Sequence, residues 1–128
     1  MYGFSVQVST NFKDTIGHVT EALKGQGFGV LTEIDVKATL KKKIDEDIRP
    51  YVILGACNPA LAHQALQADP DIGLLLPCNV VVREEESGAV TVAFMDPAAV
   101  LGLVDKPGVE SLAAEVRSKL ESVRDEIA

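Results

Sequence analysis

YVILGACNPALAHQALQADPDIGLLLPCNVVV, residues 51–82, is the stretch whose reading decides the fold. Its first seven residues are apolar on both alternations, Tyr51, Ile53 and Cys57 against Val52, Leu54 and Ala56, as expected of a strand covered on both sides. That pattern predicts a central strand. Asn58-Pro59 then predicts a helix start: the asparagine oxygen can accept an orphan N–H, and proline at the first helical position has no N–H to lose. The helix should run to about Ala68, where Asp69-Pro70-Asp71 ends it. The stretch closes on a new strand, and it holds both cysteines and one of the two histidines of the chain.

Downstream, Val80 to Glu86 and Ala89 to Asp96 read as a hairpin about Ser87-Gly88, with Val80, Val82, Val90, Val92 and Phe94 facing inward. Glu84, Glu85 and Glu86 at its end read as edge protection and solubility. After Pro97 a short apolar segment, Ala98 to Val104, leads to Asp105 and Pro107 at the head of a long helix. That helix carries Val109, Leu112, Ala113, Val116, Leu120, Val123 and Ile127 as one stripe at spacings of three and four.

Upstream, Tyr2, Phe4, Val6 and Val8 alternate with polar or small residues as in a strand with one buried face. Asn11, with Asp14 three residues on, predicts a capped helix carrying Phe12, Ile16, Val19 and Leu23 and stopped by Gly25 and Gly27. His18 falls on the other side of it, toward solvent. A second strand, Phe28 to Ile34, places Phe28, Val30, Thr32 and Ile34 on one face and Glu33 on the other. Asp35 can cap a short helix with Val36, Leu40 and Ile44 four apart. The sum is one domain over residues 1–128 of the α+β class: strand, helix, four strands with short inserted helices, then helix, two long helices covering one face of a mostly antiparallel sheet.

Composition narrows the partners. The 128 residues are 47% hydrophobic and 24% charged, enough apolar content for a core that needs no staples. A net charge of −7 argues against nucleic acid and anionic membranes, since both reward phosphate neutralisation. The lysines at 37, 41, 42 and 43 read as a solvated helix face. Met1 to Asn11 has no basic, apolar export pattern, and the run from Ile72 to Val82 is too short to span a bilayer, so the expectation is a soluble, cytoplasmic protein with reduced thiols.

The blocks Gly55-Ala56-Cys57-Asn58-Pro59, Leu61-Ala62 with Ala65-Leu66, and Leu76-Pro77-Cys78-Asn79-Val80-Val81-Val82, preceded by Gly27-Phe28 and Leu31-Thr32-Glu33, resemble a known family over essentially the whole chain. It is the prokaryotic domain-of-unknown-function family numbered three hundred and two. The resemblance implies a fold similar to the TATA-binding-protein type and implies no activity. A fold name does not carry DNA binding, because function sits in the site and this chain is acidic.

Candidate chemistry gathers at the two cysteine blocks. Cys57 ends a strand just before a helix start, where free N–H groups would lower a thiol pKa, yet free cysteine also packs as a small hydrophobe. Cys78 would approach it if the connection folds back. A soft metal would draw on Cys57, Cys78 and His63, a set short of the usual three or four ligands unless all take part. Asn58 and Asn79 are read as capping and turn residues that could also orient a polar ligand. Glu33, expected on the sheet face opposite the helices, reads first as an edge or water-facing residue, with a base or ligand anchor as the other reading. No nucleophile elbow or phosphate loop appears, and the sequence names no cofactor. The expectation is a non-enzymatic module that pairs with a second copy or holds a small molecule on the second face of its sheet. A thiol-based redox or soft-metal site at Cys57 and Cys78 is the alternative.

Overall fold

The computed structural model describes residues 1–128. Five strands, β1 (Gly3–Val8), β2 (Gly29–Asp35), β3 (Tyr51–Cys57), β4 (Cys78–Glu84) and β5 (Val90–Met95), form one sheet in the order β1-β5-β4-β3-β2, every neighbour antiparallel. The helices are α1 (Phe12–Gly25), α2 (Val36–Ile44), α3 (Pro59–Ala68), α4 (Pro97–Leu101) and α5 (Val109–Ile127), with a 3₁₀ turn over Pro70–Leu75. The α+β class, and the antiparallel sheet expected from the alternation, are what the chain adopts. No helix is long and apolar enough to cross a membrane.

Local chemistry starts most of the helices. Asn11 accepts from the Asp14 amide at 2.8 Å, Asp35 from Ala38 at 2.9 Å, Asn58 from Leu61 at 3.3 Å and Asp96 from Ala98 at 2.9 Å. The last helix lacks such a cap and begins after Gly108, at φ 85°. Gly27 and Gly88 take positive φ as well, at the end of α1 and in the β4–β5 turn.

One face of the sheet is covered. Val52, Leu54 and Ala56 of β3, Cys78, Val80 and Val82 of β4, and Val90, Val92 and Phe94 of β5 are all buried, and they pack with Val19 and Leu23 of α1 and Leu112, Val116, Leu120 and Val123 of α5. Phe4, Val6 and Val8 sit opposite Phe94, Val92 and Val90 and extend the same layer. Phe4 stacks on Phe94 with ring centres 5.3 Å apart, while Arg117 and Arg124 of α5 lie over its ring at 5.0 and 5.4 Å. Arg117 also pairs with Asp96, which is largely buried, so the start of α4, the middle of α5 and the edge strand β1 are tied at one point.

Four sequence expectations are corrected. First, β2 bulges between Val30 and Thr32, so Thr32 faces Gly55 and Ile34 faces Ile53, on the uncovered side, while Glu33 falls opposite the buried Leu54. The extra residue reverses the alternation beyond it: Glu33 lies on the helix side of the edge strand, beyond the cover, and is exposed. Second, β3 is interior but covered on one face only; Tyr51, Ile53 and Cys57 remain half-buried on the other alternation. Third, β4 begins at Cys78 and is the middle strand, so Glu84 and Glu85 protect no edge; they pair with Arg49 at 3.1 Å and Arg83 at 2.6 Å. Fourth, Pro70–Leu75 forms a 3₁₀ turn that buries Ile72, where only a helix stop was expected.

Candidate functional site

At the end of β3 the chain enters α3, and β4 returns beside it with Cys78 opposite Ala56. Cys57 and Cys78 line one small cavity with Asn58, Phe28, Leu61 and Leu76, and no disulfide joins them. The cavity is about 30 Å³ and its lining is apolar except for Asn58. That is room for a water-sized body and little more.

The Asn58 side chain is occupied. Its oxygen caps α3, and its amide nitrogen donates to the Gln26 carbonyl at 3.5 Å, which ties the end of α1 to the start of α3. The thiols are held in their neutral form. Burial pushes Cys57 up from the ordinary thiol value. Cys78 is pushed up to about 11, by burial first and by the neighbouring Cys57 second. Of the two readings of Cys57, the raised value favours the thiol that packs as a small hydrophobe over the thiolate at the start of α3. His63 lies on the exposed side of α3, and no group of three His, Cys, Asp or Glu side chains converges anywhere in the fold, so the ligand set Cys57, Cys78 and His63 does not assemble.

Asn79 separates from its sequence neighbour. Alternation turns Cys78 to the helix side and Asn79, opposite Gly55, to the uncovered face. Cys57, Asn58 and Cys78 are thus brought together, Asn79 lies on the other side of the sheet, and Glu33 belongs to neither group.

The uncovered face is built of three rows that cross the strands. The middle row is Ser5, Ala93, Val81, Ile53 and Ile34, apolar after its first member. On one side lie Gly3, Met95, Asn79, Gly55 and Thr32; on the other lie Gln7, Thr91, Arg83 and Tyr51. Val81, Ala93 and Ile53 stand outside the core that packs beneath α1 and α5, yet each is half-buried. Ile34, on the edge strand, is 47% exposed, and Leu31 in the adjoining bulge is 67% exposed.

Over the β1–β5–β4 part of this face is a hollow of about 410 Å³, lined by Tyr2, Ser5, Tyr51, Asn79, Val81, Arg83, Ala93 and Met95 among others. Arg83 donates through Nε to Glu85 at 2.6 Å. That bond, and a second from Thr91, holds the Glu85 carboxyl below the usual carboxylate range, so the pair stays ionised and the guanidinium is oriented. Sequence reasoning missed Arg83, Tyr51 and Asn79 as one group. The signal was present in the alternation of β3 and β4, but their relative register is not written in either strand alone.

No curated protein matches the chain. Among solved structures it is similar to the crystal structure of an uncharacterized conserved protein DUF302 from Bacillus stearothermophilus, which is 33% identical, with a TM-score of 0.93 over 100% of this chain and 99% of that one. The model of the family described as Domain of unknown function DUF302 matches residues 4–127. With the family's sequence pattern over nearly its full length and a solved relative of the same architecture, this chain belongs to the DUF302 family.

Proposed function

We propose that the chain is a non-enzymatic binding module that works as a homodimer, through the uncovered face of its sheet. The observation that carries this reading is the apolar row Ala93, Val81, Ile53 and Ile34 on the sheet face turned away from α1 and α5. An apolar strip bordered by polar rows has the composition of an interface core with its rim, and an aqueous surface has no need of it. The β2–β3 end of the row, with Ile34, Ile53 and the neighbouring Leu31, lies outside the hollow and offers no charge to a partner. A second copy of the same end supplies a self-complementary match under two-fold symmetry.

Light scattering at micromolar concentration tests it. The expected mass is twice that of one chain, and Ile34→Asp should halve it with an unchanged circular dichroism spectrum. A wild-type chain that is monomeric under those conditions removes the homodimer.

A thiol-based redox or soft-metal site at Cys57 and Cys78 is the second reading, and its support is that both sulfurs line one cavity. Their raised pKa values and the missing third ligand weigh against it.

A further inference from the structure

The hollow over β1, β5 and β4 has a chemistry unlike the rest of the chain. The protein carries 19 acidic and 12 basic side chains, yet no Asp or Glu lines this hollow, and the one charged side chain in its lining is Arg83, with the Met1 N-terminus also present. The guanidinium is committed to Glu85 through Nε only; its two terminal amino groups have no acceptor within the fold. The Asn79 amide and the Ser5 hydroxyl, in the two rows next to it, make no side-chain hydrogen bond within the protein either, and Tyr51 is the cross-strand neighbour of Arg83.

The floor between these groups is apolar, formed by Val81 and Ala93, which face each other across β4 and β5. A volume of about 410 Å³ falls at the small end of the range for small-molecule sites, where a mostly apolar lining binds and a few placed polar groups orient. A ring suits an apolar floor of two aliphatic side chains, and Tyr51, beside Arg83 in the lining, offers aromatic contact.

We propose that this hollow binds a small aromatic or conjugated monocarboxylate, its ring on Val81 and Ala93 and its carboxylate on the terminal amino groups of Arg83. One guanidinium, already shared with Glu85, matches one negative charge. A cationic ligand is disfavoured by the same inventory, since no free carboxylate lines the hollow. The inference rests on the uncovered face being the working surface, and it concerns the half of that face away from Ile34.

The experiment is a titration of the full chain with 2-naphthoate, and with 2-naphthamide as its uncharged counterpart, followed by amide chemical shifts. Naphthoate should shift the signals of Val81, Ala93 and Met95 in a saturable way, and naphthamide should bind about tenfold more weakly, the usual worth of a charge-assisted pair. In Arg83→Gln the two probes should bind alike, at the weaker level, while Arg83→Lys should recover part of the preference. Equal binding of the two probes by the wild type, or shifts that lie elsewhere, overturns the proposal without any variant being needed. The mass of the wild type, measured on the same samples, separates the two readings: a wild-type monomer that keeps its naphthoate preference sinks the pairing alone, and a wild-type dimer without that preference sinks the ligand alone.

Discussion

Gly55→Ala tests the placement of the uncovered face at its most confined point. A methyl group built on Gly55 would lie 2.2 Å from Thr32 Oγ1 and 2.9 Å from Pro77 Cγ, both well inside contact distance. Thr32 is there because the bulge in β2 turns it over Gly55, and Pro77 because the chain re-enters β4 at that point. Forcing a methyl into a filled site costs about 2.5 kcal/mol, while the reduced freedom of the unfolded chain returns about 0.7 kcal/mol. The net loss should be about 2 kcal/mol, or a fall in Tm of about 8 °C for a chain of this length.

Thr32→Ala gives the control, because it removes Oγ1 and leaves the Thr32 Cβ position 3.5 Å from the new methyl, an ordinary contact. The double variant should therefore be about 1 kcal/mol more stable than the sum of the single changes predicts, a coupling expected only for residues in contact. Guanidinium unfolding followed by far-ultraviolet circular dichroism measures all four proteins, since the chain has no tryptophan to report by fluorescence. A Gly55→Ala protein within about 0.5 kcal/mol of wild type, or an additive double variant, would mean that Thr32 does not sit over Gly55. The bulge would then be misplaced, and with it the assignment of Ile34 to the uncovered row.

Two further outcomes follow from the buried groups. Since burial favours the protonated thiol, iodoacetamide should alkylate Cys57 more slowly than a free thiol at pH 7 and Cys78 more slowly still; faster reaction at Cys57 would restore the thiolate reading. For Cys78 the unfolded chain ionises near its ordinary value of 9.0 and the folded one at about 11. Its contribution to stability is thus complete below pH 9.0 and is lost as pH rises toward 11, so the wild type should lose stability across that window more steeply than Cys78→Ala. Asp96→Ala removes the α4 cap and leaves Arg117 without its main partner, and should cost about 2 kcal/mol by thermal unfolding. Arg117→Met, which retains packing over Phe4, should cost less, and the reverse order would show that the cation over the ring matters more than the pair.

What could be read from the sequence was what depends on neighbours along the chain. Asn11, Asp35 and Asn58 each announced a helix because a cap needs only the next three residues. The stripe from Val109 to Val123 fixed the buried side of α5 for the same reason. The errors came where one strand must be registered against another. Nothing in Val30-Leu31-Thr32 signals an extra residue, so simple alternation placed Glu33 where Thr32 and Ile34 lie. The double apolar alternation of β3 read as cover on both sides, because burial under a helix and half-burial among sheet neighbours select the same residue types.

That last confusion is informative about the site. Two Cys-Asn pairs, Cys57-Asn58 and Cys78-Asn79, look like repeats of one motif in the sequence, but the sheet uses them differently. Asn58 follows a strand end and is consumed in capping α3, so its pair closes an apolar cavity with no space for a ligand. Asn79 lies inside β4, where alternation must send it to the face opposite Cys78, and that face has the larger hollow and the terminal amino groups of Arg83 that Glu85 leaves unbonded. A residue pair at a strand end can serve one cavity, whereas the same pair within a strand always divides between two faces. The cysteine cavity and the hollow thus lie on opposite sides of the sheet, and Asn79 is the only one of the four residues that lines the hollow.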